Sequence, residues 1–145
     1  EFKLTPEALR AALTKSTKAL ILNSPSNPSG MMYSKEEWIK LAAVINEFPD
    51  LLIISDDIYN RLVFKSAGFA PNLLHAAPEL AARTIVVNGV SKTYSMTGWR
   101  LGFCGGPAAD TTTQSGGEAV GGRQGRHRDG CHSGGVRVRR LLIDW

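Results

Sequence analysis

Residues 83–105 read RTIVVNGVSKTYSMTGWRLGFCG, and this stretch combines two strand patterns with two unusually placed basic residues. The apolar run 83–88 predicts a short buried strand, and 100–105 predicts another. Lys92 and Arg100 lie between them, among small, hydroxyl and aromatic residues. Lysine and arginine are usually solvated surface residues. Their position here indicates a ligand site.

Two further apolar runs, KALILN (18–23) and LLIISD (51–56), have the same strand pattern. Each is short, rich in Ile and Leu, and closed by a polar residue, which is typical of strands buried on both faces of a parallel sheet. The segment between them, 33–48, predicts a helix, because Ser34 and Glu37 fit a capping box. Its apolar residues recur at helical spacing: Trp38, Leu41, Val44, Ile45 and Phe48.

The remaining connections also predict helices. Residues 5–13 form one helical pattern, and residues 72–82 form a second that Pro78 interrupts. Strands that alternate with helices in this way predict an α/β fold with a mostly parallel sheet. We expect residues 1–107 to be the folded part of the chain.

Bulk composition excludes several classes of protein. The chain has 145 residues, 43% of them hydrophobic, which suits one ordinary domain. A net charge of +4 favours anionic small molecules over nucleic acid, and no apolar run is long enough to cross a membrane. Cys104 and Cys131 form no disulfide framework, so we expect a cytoplasmic protein. The sequence does not begin with Met, and we expect it to be a piece of a longer protein.

Residues 108–145 differ in composition from the rest. From Thr111 onward, 35 residues contain eight glycines and six arginines, with few apolar residues before the last ten. Such a composition predicts an irregular or disordered tail. Because the change is abrupt, a shifted reading frame is our hypothesis for its origin; a splice variant and a genuine disordered tail are the alternatives.

Two ligand classes are not favoured in this tail. His127, Cys131 and His132 could suggest a metal, but a glycine-rich segment offers no rigid surroundings for the ligands, so we expect no metal site. RNA binding is a weak alternative, because acidic residues offset part of the tail's positive charge and aromatic residues are absent before Trp145.

Polar residues follow each of the first three predicted strands. The segments are NSPSNPSG (23–30), SDDIYNR (55–61) and NGVSKTY (88–94). In parallel α/β sheets, ligands bind beyond the carboxyl ends of the strands. The sequence therefore predicts one site formed by Asn27, Asp56, Tyr59 and Lys92.

Each motif alone has a simpler interpretation. NPSG is typical of a turn, Tyr59 could be a packing residue, and Asp56 with Asp57 could cap a helix. A phosphate loop is excluded at Lys92, because that loop requires glycine directly before the lysine and this chain has Ser91. The agreement of all three segments on one edge of the sheet favours a site.

Together, NSPSNPSG, ISDDIYNRLVF and GVSKTYSMTGWRLGF resemble the class I/II aminotransferases of the aspartate aminotransferase family. These are fold-type I enzymes that use pyridoxal 5′-phosphate. The resemblance covers residues 1 to about 107, which implies that they are part of the cofactor-binding large domain.

The resemblance implies a role for five residues. Lys92 would be the catalytic residue, anchoring the cofactor covalently and carrying a proton. Asp56 would face the pyridine nitrogen, and Arg100 would bind the phosphate with its planar fork. Tyr59 and Asn27 would donate hydrogen bonds to the phenolic oxygen of the cofactor.

The implied reaction is transfer of an amino group from an L-amino acid, aspartate or an aromatic one, to a 2-oxo acid. The implied partners are these small molecules, with no nucleic acid and no membrane, and the family is homodimeric. Related carbon–sulfur lyases and aminocyclopropane carboxylate synthases share the same residues. A further alternative is an inactive fragment without its substrate-binding domain. Where the family often has serine or threonine as a phosphate ligand, this chain has Gly89.

Overall fold

The computed structural model describes residues 2–64 and 68–107 together with the backbone of 137–142. Five strands form one sheet in the order β1-β2-β3-β4-β5. Strands β1, β2 and β3 pair in parallel, whereas β4 is antiparallel to both of its neighbours. The strands are β1 (Ala19–Asn23), β2 (Leu52–Asp56), β3 (Thr84–Gly89), β4 (Leu101–Gly106) and β5 (Arg137–Leu142). The predicted α/β fold with a mostly parallel sheet is confirmed.

Short helices connect the strands. They are α1 (Pro6–Ala12), α2 (Lys35–Ile45), α3 (Leu73–Ala76) and α4 (Val90–Thr93), with 3₁₀ turns at Pro78–Arg83 and Thr97–Trp99. The predicted connectors at 5–13 and 72–82 are confirmed, and Pro78 does divide the second one. Proline lacks the amide hydrogen that would continue the hydrogen-bond ladder of α3.

The predicted capping box starts α2. The Ser34 hydroxyl accepts a hydrogen bond from the Glu37 amide at 3.2 Å, and the Glu37 carboxylate accepts one from the Ser34 amide at 2.6 Å. This exchange satisfies two amide groups that have no partner inside the helix. The helix ends at Ile45, before Phe48, so its predicted end was three residues too late. Phe48 still packs against the core from the following loop.

The core lies between α2 and one face of the sheet. Leu22 and Ile53 point from the sheet toward the helix side, where they join one continuous cluster of buried side chains. The contribution of α2 to this cluster is Trp38, Leu41, Ala42, Val44 and Ile45. The indole of Trp38 also donates a hydrogen bond to the Pro71 carbonyl at 2.9 Å, which holds the segment before α3 against α2.

The opposite face of the sheet is open, so burial on both faces was predicted wrongly for these strands. Ile21 pairs with Ile54, and Ile54 pairs with Ile85, so these three side chains form an apolar row across β1, β2 and β3. Ile21 is 68% exposed. Ile54 and Ile85 are partly buried. The prediction failed because the sequence shows which residues are apolar but not which layers are present to cover them.

The prediction of an irregular tail is wrong for residues 137–142. They form β5, which pairs with β4 from Leu101↔Leu142 to Gly106↔Arg137. The RVRRLL sequence is short and rich in arginine, and it pairs with the edge of β4 that does not pair with β3. Residues 108–136 and 143–145 lie outside the described structure, as do His127, Cys131 and His132.

Arg83 closes the carboxyl end of α2. Its guanidinium donates hydrogen bonds to the carbonyls of Phe48 at 2.6 Å and Ile45 at 3.2 Å, and to the Asn46 side chain at 2.9 Å. Carbonyls at a helix end have no partner inside the helix. The planar donor fork of arginine thus joins the start of β3 to the end of α2.

We expect Arg83→Ala to lower the free energy of unfolding by about 1–3 kcal/mol, because it leaves these carbonyls without their donor. Urea denaturation measures the change. Lys15→Ala, at an exposed position after α1, is the control and should change stability by less than about 0.5 kcal/mol. Equal stability of Arg83→Ala and the unsubstituted chain would contradict this role.

Candidate active site

The carboxyl ends of the three parallel strands meet at one edge of the sheet. Asn23, the last residue of β1, pairs with Asp56, the last residue of β2, and Asp56 pairs with Val87 near the end of β3. The three polar segments predicted to form a site therefore start side by side. Parallel pairing in register is what brings residues so far apart in sequence together.

A cavity of about 390 Å³ opens between β2, β3 and β4. Asp56 lies on one side of it, while Lys92 and Arg100 come from the segment that links β3 to β4. The remaining lining is Ile58, Val87, Asn88, Gly89, Ser91, Thr97, Leu101 and Gly102. The cavity thus combines a carboxylate, an amine and a guanidinium in a largely apolar wall.

Asn27 and Tyr59 line a neighbouring cavity of about 500 Å³. The Asn27 side-chain amide donates a hydrogen bond to the Tyr59 hydroxyl at 3.2 Å. Lys92 Nζ lies 5.7 Å from the centroid of the Tyr59 ring. Tyr59 therefore lines the second cavity and lies beside Lys92, which lines the first. The structure brings all five predicted site residues to one end of the sheet, in two groups.

Asn23 orders this edge, and the sequence interpretation missed it. Its side-chain amide donates to the Asp56 carbonyl at 3.1 Å, and its side-chain oxygen accepts from the Asn27 amide at 3.1 Å. One asparagine thereby links the end of β2 to the loop that carries Asn27. Its position as the last residue of an apolar strand was the signal that could have identified it. Ser91 was also missed as a site residue, although it lines the cavity next to Lys92.

Asp56 and Asp57 do not cap a helix, so that alternative was wrong. A turn follows β2, and Asp56 Oδ1 accepts a hydrogen bond from the Ile58 amide at 3.2 Å. Asp57 points away from the cavity and is buried. Burial raises the pKa of the Asp57 carboxyl, and hydrogen bonds from Ser55 and Asn72 partly oppose the effect. The two adjacent carboxylates therefore have different surroundings.

Arg100 has a left-handed backbone, with φ of 49°. Such a conformation is strained for a residue with a β-carbon. Arg100 ends the 3₁₀ turn Thr97–Trp99, and its guanidinium donates to the Thr97 carbonyl at 3.2 Å. The Arg100 side chain therefore lies over its own loop, where it lines the same cavity as Thr97.

Gly89 is the last residue of β3 and pairs with Gly102 of β4. A β-carbon at this position would lie 2.8 Å from the Leu101 carbonyl oxygen and 3.1 Å from Ile58 Cδ1. The carbonyl oxygen belongs to the backbone of β4 and cannot move without disturbing the strand. Glycine is therefore required by the packing of this edge, and a serine would not fit.

The described residues place limits on other kinds of site. They contain no group of three His, Cys, Asp or Glu side chains that could hold a metal ion. Among them, no helix has both the length and the apolar character needed to cross a membrane.

A model of the family described as Aminotransferase class I and II matches residues 1–124. The chain belongs to this family. Members of it are enzymes that generally depend on pyridoxal phosphate. The predicted resemblance is confirmed.

Individual aminotransferases are similar over the same part of the chain. The aspartate/prephenate aminotransferase of Nitrosomonas europaea is 53% identical over 112 residues, which are 77% of this chain and 28% of that protein. The asparagine–oxo-acid transaminase of Streptococcus mutans is 55% identical over 107 residues, or 72% of this chain and 26% of that protein.

Solved aminotransferase structures have the same fold. The aspartate aminotransferase of Rhizobium meliloti superimposes with a TM-score of 0.68 at 45% identity, covering 73% of this chain and 26% of that one. YbdL from Escherichia coli, described with a methionine aminotransferase function, gives a TM-score of 0.66 at 33% identity, covering 74% and 28%. The chain thus spans about a quarter of the length of the aminotransferases it matches.

The family often has serine at the position of Gly89. In this chain we expect that serine to reduce stability. We expect Gly89→Ser to lower the free energy of unfolding by about 1–3 kcal/mol, because the new side chain meets the β4 backbone. Chemical denaturation tests this. Gly98→Ser is the matched control, because a β-carbon there meets no atom within 4 Å. A stable Gly89→Ser variant would show that the two strands separate easily.

Proposed function

We propose that this chain provides the cofactor-binding wall of a pyridoxal-phosphate-dependent aminotransferase that moves an amino group from an L-amino acid to a 2-oxo acid. The observation that carries the proposal is the placement of Asp56, Lys92 and Arg100 around one cavity, with Tyr59 and Asn27 beside it. Aspartate and aromatic amino acids are the proposed substrates, since the similar proteins include aspartate/prephenate aminotransferases.

The chemistry of these side chains fits pyridoxal phosphate. The cofactor carries a phosphate, a basic ring nitrogen, a phenolic oxygen and an aldehyde. The chain offers the Arg100 guanidinium and Ser91 hydroxyl for the first, the Asp56 carboxylate for the second, and Lys92 for the last. The Tyr59 hydroxyl and the Asn27 amide are paired donors for the phenolic oxygen. The glycine at position 89 leaves backbone close to this wall, where a side chain would clash.

Three residues of the chain would stabilise charged groups of the cofactor. Asp56 keeps a proton at the ring nitrogen through a charge-assisted hydrogen bond. Its second oxygen accepts from the Ile58 amide, which fixes the plane of the carboxylate. Arg100 binds the phosphate with a planar donor fork that lysine could not reproduce. The Tyr59 hydroxyl, already oriented by Asn27, stabilises negative charge on the phenolic oxygen.

Lys92 carries out the proton transfer. Its amine would accept the proton from the α-carbon of the substrate and would release it again inside the cavity, so it would need to move between two positions. Lys92 is partly exposed and lies in the short helix α4, which is consistent with that movement. The cofactor supplies an aldehyde for covalent attachment and a conjugated ring that accepts an electron pair from the α-carbon.

We expect the chain to show a visible absorbance band when it is titrated with pyridoxal phosphate. The band should be absent in Lys92→Ala, because this substitution removes the amine from the cavity. Lys40→Ala, at an exposed position of α2, is the matched control and should keep the band. An identical band in the Lys92→Ala variant would contradict the proposed attachment site.

Turnover is a separate question. Among the described lining residues of the two cavities, the one arginine is Arg100, which the proposal assigns to the phosphate. No described cation is then left for the α-carboxylate of the substrate. We expect little or no transaminase activity from this chain with an amino acid and a 2-oxo acid. Coupled assay of the amino-acid product tests this, and a rate comparable to the similar full-length enzymes would refute it.

Two alternatives remain. Carbon–sulfur lyases and aminocyclopropane carboxylate synthases would use the same Lys92, Asp56, Tyr59 and Arg100, and product analysis separates them from a transaminase. A non-enzymatic fragment is favoured by the open apolar row of Ile21, Ile54 and Ile85. If the chain is such a fragment and binds nothing in this cavity, the absorbance spectrum with pyridoxal phosphate would be the same with and without Lys92.

A further inference from the structure

Asp57 is a buried carboxylate that the proposed reaction does not use. It is 4% exposed, directly follows Asp56, and faces away from the cavity. Its Oδ1 accepts a hydrogen bond from the Ser55 hydroxyl at 2.7 Å, and its Oδ2 accepts one from the Asn72 side-chain amide at 3.0 Å. Both carboxylate oxygens are therefore occupied by neutral donors.

The Asn72 end of this chain of hydrogen bonds is itself fixed. The Asn72 side-chain oxygen accepts from the His75 amide at 2.8 Å, so Asn72 caps α3 while it binds Asp57. Asp57 thus connects the end of β2 to the start of α3. The segment between them carries Tyr59. Its two ends are held together by this carboxylate and by the Ala70 amide, which donates to the Asn60 carbonyl at 2.7 Å.

The backbone of Asp57 is held as firmly as its side chain. Its amide donates to the Val87 carbonyl at 2.9 Å, which extends the contact between β2 and β3 beyond the last strand pair. Its carbonyl accepts from the Asn60 amide at 2.9 Å, which closes the turn that contains Tyr59. These two hydrogen bonds fix the backbone of Asp57. This residue lies between Asp56 at the end of β2 and the turn that contains Tyr59.

A buried carboxylate is a costly way to fill space. Burial, and to a smaller extent the neighbouring Asp56, raises the pKa of Asp57. An apolar residue of similar size would avoid that cost, and buried polar groups are favoured over apolar ones where a single arrangement has to be specified. The directed hydrogen bonds to two separate segments supply that specification here.

We propose that Asp57 is a positioning residue, which fixes the direction of Asp56 and Tyr59 at the cofactor site by tying the end of β2 to α3. The effect on cofactor binding rests on the proposed function, whereas the effect of Asp57 on the turn after β2 does not. We predict that the effect of Asp57 depends on its hydrogen-bond pairing with Asn72, and that restoring the pairing restores the site.

The sequence allows a swap of the two partners. In Asp57→Leu, a side chain of similar size accepts no hydrogen bond, so the Asn72 amide and the Ser55 hydroxyl both lose their acceptor. In the double variant Asp57→Asn with Asn72→Asp, the amide at 57 donates to the carboxylate at 72, and aspartate remains a good cap for α3. The double variant also keeps the net charge. Asp50→Asn, at an exposed position before β2, is the control for the loss of one carboxylate.

Hydrogen exchange of backbone amides tests the structural part without cofactor. In Asp57→Leu, we expect the amides of Ile58 and Asn60 to exchange roughly tenfold faster or more, the factor that corresponds to a lost hydrogen bond to a charged group. Amides of Ile53 and Ile54 inside β2 should change much less. The double variant and Asp50→Asn should exchange like the unsubstituted chain.

Titration with pyridoxal phosphate tests the consequence. We expect the dissociation constant for pyridoxal phosphate to rise about tenfold in Asp57→Leu and to recover in the double variant. If Asp57→Leu does not fold, Ser55→Ala replaces it, because that change removes one of the two hydrogen bonds and leaves the carboxylate in place.

Each outcome decides one of the two proposals. Unchanged exchange at Ile58 and Asn60, or equal acceleration throughout β2, would overturn the positioning role, since the latter shows only general loss of stability. Faster local exchange with an unchanged dissociation constant would overturn the link to the cofactor. A chain without any band that depends on Lys92 refutes the proposed function, and the exchange rates then still decide whether Asp57 fixes the turn.

Discussion

The in-register parallel pairing of β1, β2 and β3 is the constraint on which the rest of the structure depends. It puts Asn23, Asp56 and Val87 at one level, so that three loops start from the same edge of the sheet. A shift in register by one residue would turn Asp56 to the opposite face. The helix side of the sheet secures this register, because Leu22 and Ile53 are buried against α2.

From this edge outward, order depends on a few polar side chains. Asn23 links the end of β2 to the Asn27 loop, and Asp57 links it to α3. Arg100 is aimed by a strained turn, and Gly89 permits the close contact of β3 with β4. None of these four residues contributes much apolar burial. Packing sets the position of the sheet, and directed hydrogen bonds set the orientation of the groups around the cavity.

The sequence predicted the elements well where the signal is local. Ser34 and Glu37 define a helix start through contacts three residues apart, and Pro78 interrupts a helix by its own covalent structure. It predicted less well what depends on distant partners. The open face at Ile21 and the pairing of β5 with β4 are determined by which other layers and edges are present, and no local pattern contains that information.

The candidate site follows the same division. Asn27, Asp56, Tyr59, Lys92 and Arg100 were predicted because they lie next to strand ends within recognisable motifs, and the structure places them at one end of the sheet. Asn23 was missed and Asp57 was misinterpreted, because each forms a hydrogen bond to a residue that is distant in sequence: Asn23 to Asp56, and Asp57 to Asn72. Asp57 was considered a possible helix cap, whereas the cap of α3 is its partner Asn72.

The central claim is that Lys92 is the amine to which pyridoxal phosphate attaches in this cavity. The most direct test is to incubate the chain with pyridoxal phosphate, reduce it with borohydride, and locate the added mass by peptide mass spectrometry. Modification concentrated at Lys92 is the predicted result. Modification spread over exposed lysines such as Lys15, Lys35 and Lys40, with no excess at Lys92, would contradict the claim.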